Sequence, residues 1–104
     1  AELKKHIGRV VHVHCKDVRD AVMKKARNND QSFLNSVLDG VFSVPGDGMI
    51  DFEPILALLA EHNYKGWLVV EAEQDPAVAP SYEYARKGYD TLRAIVDRID
   101  ASAV

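Results

Sequence analysis

The chain has a single cysteine in 104 residues, Cys15. A lone thiol excludes an internal disulfide framework and fits a reducing compartment such as the cytoplasm. Long apolar runs are missing as well. No stretch approaches the roughly 18–20 residues that a membrane-spanning helix needs, so no membrane role is expected. The opening Ala1-Glu2-Leu3-Lys4-Lys5 has no apolar segment of the signal-peptide kind. Neither sign of charge dominates. Thirteen basic against sixteen acidic residues give a net charge of −3, without the basic stripe of a nucleic-acid binder. Repeats and low-complexity tracts are also absent. The 47% of hydrophobic and 28% of charged residues are those of a folded chain, not a disordered one.

The patterning predicts an α/β order. Residues 9–16 are rich in β-branched side chains and alternate, which predicts a strand. Period 2 places His12, His14 and Lys16 on one face and Val11, Val13 and Cys15 on the other. A polar, Lys- and Asn-rich stretch follows, in which Lys24, Lys25 and Arg27 read as a solvated helix face. Phe33, Leu34, Val37 and Leu38 then recur at helical spacing, and Gly40 is a natural helix stop. Residues 41–44 are short enough for either a strand or a loop. Pro45-Gly46-Asp47-Gly48 is a turn.

Asp51 is placed to cap a helix with Pro54 in its first turn and Phe52, Ile55, Leu56, Leu58 and Leu59 on its buried stripe. Asn63 suits a left-handed end to that helix. Residues 67–73 predict a second strand, apolar enough to be covered on both faces, with Glu71 and Glu73 on one side of its carboxyl end. A loop with Pro76 and Pro80 leads to a last helix, capped by Ser81. Its covered stripe is Tyr82, Ala85, Tyr89, Leu92, Val96 and Ile99. Two such strands, each followed by a helix, imply a parallel α/β sheet. Two strands cannot cover three amphipathic helices, so the 104 residues are expected to be one segment of a larger sheet or barrel.

Two polar sets carry the chemistry. His12, His14, Lys16 and Asp17 end one strand; Glu71 and Glu73 end the other. As parallel neighbours about 4.8 Å apart, both would open at the carboxyl rim, where the sites of parallel α/β folds lie. Imidazole and carboxylate suit a borderline divalent ion such as Mn²⁺, Co²⁺ or Zn²⁺. A strand histidine taken singly serves more often as hydrogen-bonded structure than as a ligand. Lys16 has two readings: an ion pair with Glu71 or Glu73, or a cation that polarises a carbonyl. Cys15, on the apolar side, fills core space. Trp67, Tyr82, Tyr84 and Tyr89 read as packing, and Asp75 and Arg19 as rim residues within reach of a polyol.

Three stretches carry a resemblance: His12-Val13-His14-Cys15-Lys16-Asp17-Val18-Arg19, residues 42–52 around Pro45-Gly46-Asp47-Gly48, and Tyr64-Lys65-Gly66-Trp67-Leu68-Val69-Val70-Glu71-Ala72-Glu73-Gln74-Asp75-Pro76. From about residue 8 to residue 99 the chain resembles the C-terminal portion of the inosose dehydratases of bacterial inositol catabolism. These belong to the xylose-isomerase-like TIM-barrel superfamily. The resemblance implies the C-terminal part of a (β/α)8 barrel and a divalent metal, manganese or cobalt, with glutathione as a further cofactor. It implies that His14 and Glu71 are metal ligands, with two acidic ligands from earlier strands that have no counterpart here. It also implies that Lys16 and His12 act on the substrate, that Arg19 and Glu73 bind it, and that the substrate is a cyclic polyol ketone. The implied activity is dehydration of 2-keto-myo-inositol. Alternatives are a ketose 3-epimerase or sugar isomerase on the same barrel, metal-dependent phosphodiester cleavage, and a non-catalytic barrel fragment that associates with the rest of a barrel or with itself.

Overall fold

A computed structural model describes residues 1–102. A first helix α1 (Glu2–His6) and a 3₁₀ turn (Ile7–Arg9) precede β1 (Val13–Cys15) and β2 (Asp17–Val18). Helices α2 (Asp20–Asn28) and α3 (Phe33–Leu38) lead to β3 (Phe42–Ser43), then α4 (Phe52–Glu61), β4 (Leu68–Val70) and α5 (Ser81–Ser102). β1 and β4 pair in parallel, with Val13 opposite Leu68, His14 opposite Val69 and Cys15 opposite Val70. The parallel relation expected of the two main strands is therefore present. An antiparallel pair was not foreseen: β2 and β3 align Asp17 with Ser43 and Val18 with Phe42.

The local signals explain the helices well. Asp51 accepts the Glu53 N–H at 3.2 Å and starts α4. Asn63 closes it at φ 57°, the left-handed conformation that asparagine tolerates. Ser32 caps α3 through the Asn35 N–H at 3.2 Å, and Gly40 ends it at φ 84°. Phe52, Leu56 and Leu59 of α4 meet Leu92 and Ile95 of α5 and Cys15 of β1, which together form the core. The apolar face of the first strand thus reaches the core through Cys15, whose thiol is pushed up in pKa by burial. It is filler, not an activated nucleophile.

Several expectations are corrected. The first strand occupies three residues, not eight, because the chain enters it through a 3₁₀ turn. Val11, ahead of the strand, is exposed. The second strand is likewise Leu68–Val70, and all three residues are only half-buried; β1 is its sole strand partner among the described residues. Trp67 is 77% exposed, not packed. In α3 the apolar positions Phe33, Leu34 and Leu38 face solvent while Ser36 is buried. Ser36 Oγ returns to the Ser32 carbonyl at 2.9 Å and the Ser36 carbonyl receives the Val41 N–H at 3.0 Å, so the short helix is oriented by its polar side.

One buried carboxylate positions the loop beside the rim. Asp17, without solvent contact, accepts N–H groups from Val18 at 2.8 Å, Ile50 at 3.0 Å and Gly46 at 3.2 Å. A side chain on Gly48 would collide with this carboxylate and with the Val18 carbonyl. Asp17 and Gly48 together therefore fix how the 45–50 loop leaves β3.

Candidate functional site

The parallel register of β1 and β4 sets the site. Continuing it by one step, the Glu71 N–H bonds to the Cys15 carbonyl at 3.0 Å. His14 and Lys16 then lie on the same side as Glu71 and Glu73. His14 Nδ1 is 2.9 Å from Glu71 Oε2. Lys16 Nζ donates to Glu73 Oε1 at 2.5 Å and sits 3.4 Å from Glu71 Oε1. Its ammonium also lies 4.3 Å from the centroid of the Phe42 ring, a favourable cation–π distance. The structure thus brings together four of the expected site residues. His12 joins them at the edge: its ring meets His14 at 5.1 Å between centroids and 64° between planes.

Electrostatics bind these groups to one another. The hydrogen bond to Glu73 raises the Lys16 pKa above the ordinary lysine value; burial opposes this and Glu71 reinforces it. Contact with His14 lowers the Glu71 carboxyl below its usual range, against the opposing effect of burial and with help from Lys16. Lys16 is an ammonium and Glu71 a carboxylate throughout the neutral range. The ion pairs expected of Lys16 with Glu71 and Glu73 are formed.

Arg19 is held among the loops beside the rim. Its guanidinium donates to the Gly40 carbonyl at 3.0 Å and to Asp47 Oδ2 at 2.7 Å, with Ser43 Oγ at 3.5 Å. Asp47 also receives Ser43 Oγ at 2.6 Å and Lys87 Nζ at 2.6 Å. Burial alone would raise the Asp47 carboxyl, but the bonds from Lys87, Ser43 and Arg19 outweigh it and hold it at about 2. Gln74, next to Glu73, reaches Ser43 Oγ at 3.4 Å. This network joins α5, β3 and the loop after β4. The sequence gives little notice of it: Asp47 looks like a turn residue, and nothing local links it to Arg19 or Lys87. Phe42 was likewise missed, being one aromatic in an ambiguous four-residue run.

The donor set matches a borderline divalent cation, which accepts imidazole nitrogen and carboxylate oxygen together. His14 and Glu71 present one of each from adjacent strands. The match is to two ligand positions. Among the described residues, no group of three or more His, Cys, Asp or Glu side chains is arranged to hold a metal. The apolar groove between α4 and α5, about 200 Å³ and lined by Leu56, Leu59, Tyr64, Leu68 and Val96, lies by the amino end of β4, away from Glu71. No described helix is long and apolar enough to cross a membrane.

Known proteins share this segment. The chain is 58% identical to the inosose dehydratase of Histophilus somni (strain 129Pt) over 93 residues, 89% of this chain and 31% of that protein. Against the inosose dehydratase of Glaesserella parasuis serovar 5 (strain SH0165) it is 56% identical over 95 residues, covering 91% and 32%. Against the rhizopine catabolism protein MocC of Rhizobium meliloti the figures are 56% over 88 residues, covering 85% and 27%. The chain therefore spans about a third of the length of the curated relatives it matches. The family model described as xylose isomerase-like TIM barrel matches residues 1–95, which takes in β1, β4 and most of α5. On that match, and with its two main strands parallel, the chain belongs to the xylose isomerase-like TIM barrel family.

Proposed function

We propose that this chain is the part of a metal-dependent inosose dehydratase in which His14 and Glu71 supply two ligands to a divalent cation, manganese or cobalt. The observation that carries the proposal is the 2.9 Å approach of His14 Nδ1 to Glu71 Oε2 at the carboxyl ends of neighbouring parallel strands. Sites of parallel barrels collect at that rim. The names of the relatives support the substrate class, a cyclic polyol ketone. Dehydration of 2-keto-myo-inositol takes a proton from the carbon beside the ketone and expels the next hydroxyl as water. A bound divalent cation would supply Lewis acidity toward the ketone oxygen.

The chain's own groups have distinct parts. Lys16, already protonated, donates a hydrogen bond and positive charge toward a substrate oxygen and does not serve as a base. His12, exposed beside His14, contacts a substrate hydroxyl. Glu73 acts beside the substrate through its bond to Lys16. Arg19 supports the rim through Asp47. The test uses a protein that carries this segment within a complete barrel. His14→Ala and Glu71→Ala each remove most bound metal by elemental analysis and lower the rate of water loss by on the order of a hundredfold or more. Unchanged metal content in both variants would overturn the ligand assignment. Epimer formation without loss of water would put a ketose epimerase in place of the dehydratase.

A further inference from the structure

Lys16 has two carboxylates within reach and uses them unequally. It is 2.5 Å from Glu73 and 3.4 Å from Glu71. Glu71 is the carboxylate that faces His14. An ammonium seated fully on Glu71 would neutralise it and compete with any cation for its oxygens. Two features draw Lys16 the other way: Glu73, from the strand end carrying Glu71, and the ring of Phe42, from β3. Phe42 is itself buttressed by Phe33 of α3, 5.8 Å away between centroids.

We infer that Glu73 and Phe42 form a clamp that parks the Lys16 ammonium beside Glu71, leaving Glu71 and His14 free to take a divalent cation. Glu73 is then a positioning residue, and Phe42 a second one that acts without charge. The clamp rests on the ligand assignment proposed above, so its test must separate the two.

The experiment titrates Mn²⁺ into a metal-stripped protein that carries this segment within a complete barrel and follows paramagnetic broadening of its histidine resonances by NMR, with His6 and His62 as internal references. The backbone amide spectrum of each variant reports its fold. In the parent protein His14 broadens first, and His14→Ala or Glu71→Ala abolishes this site-specific effect. Glu73→Gln weakens Mn²⁺ binding at His14 by on the order of fivefold, the worth of one partly exposed ion pair. Phe42→Leu weakens it by about twofold, as loss of an exposed cation–π contact would.

Lys16→Met decides the cause. If Glu73 acted only through its own negative charge, Glu73→Gln would weaken binding equally with or without Lys16. Under the clamp, Glu73→Gln and Phe42→Leu have little effect once Lys16 is Met. Equal losses in both backgrounds overturn the clamp and leave the ligands standing. No His14-specific broadening in the parent protein overturns the ligand assignment and the clamp together.

Discussion

Two aspartates do most to hold the rim loop, by different means. Asp17 has no solvent contact and answers three backbone N–H groups. Removing it leaves those donors buried and unpaired. Asp17→Ala is expected to cost about 3 kcal/mol or more in urea unfolding. Asp17→Asn can keep the oxygen that serves Val18 and Ile50 and should cost about half as much. Asp47 works through charge. Its carboxyl is near 2 in the folded chain against an ordinary 3.8, so the folded state favours the ionised form. That stability is full above about pH 4 and is lost as the pH falls toward 2, amounting to on the order of 2 kcal/mol. Urea midpoints taken down that range will show the loss in the parent and lack that component in Asp47→Asn. The sequence announces both aspartates only as neighbours of a strand and a turn, because most of their partners lie 28 to 40 positions away.

At the scale of elements, the long helix α5 explains which patterns were readable. Apolar spacing located it, but placed its covered stripe at Tyr82, Ala85, Tyr89, Leu92, Val96 and Ile99. The buried seam is Gly88, Leu92 and Ile95, with Val96 and Ile99 packed against the core as expected, while Tyr82, Ala85 and Tyr89 are exposed. A hydrophobic pattern does not register glycine, yet Gly88 is where the helix approaches closest. A Cβ there would stand 2.6 Å from Val70 Cγ1 and 3.0 Å from Val44 Cβ. Tyr82 falls outside the seam because 22 residues of helix run about 33 Å, while a three-residue strand covers about 10 Å. Gly88→Ala would gain up to about 1 kcal/mol in helix propensity. Overpacking against Val70 and Val44 costs about 1–3 kcal/mol. The expected net effect is destabilisation, read as a lower thermal midpoint. Helix α4, by contrast, was legible from cap to cap, since Asp51, its apolar stripe and Asn63 all act within one stretch of chain.

The molecule as a whole is less compact than its length allows. Its radius of gyration is 15.1 Å, against about 13 Å for a compact domain of this size. Its sheets have only two strands each among the described residues. Large apolar side chains remain outside, including Trp67, Val11, Phe33 and Leu34. Trp67, the single tryptophan, is expected to fluoresce like indole in water and to be quenched freely by acrylamide in dilute solution. Blue-shifted, protected emission would mean that this edge is covered. The parallel strands and their polar ends were readable because alternation and terminal charge are local. Neither the antiparallel β2–β3 pair nor the Phe42 contact could be read, because both depend on how residues 20–41 fold back.

The two contacts that define the rim, His14 with Glu71 and Lys16 with Glu73, span the same 57 positions. One strand alignment makes both, and a slip of one residue breaks both. Neither half can therefore assemble early from nearby residues. The chain must first close a long loop, whose entropy is spent before any contact repays it. Refolding kinetics should accordingly find the His14 environment appearing with the slowest phase that restores the β1–β4 pair, so the rim is among the last parts of the molecule to acquire its shape.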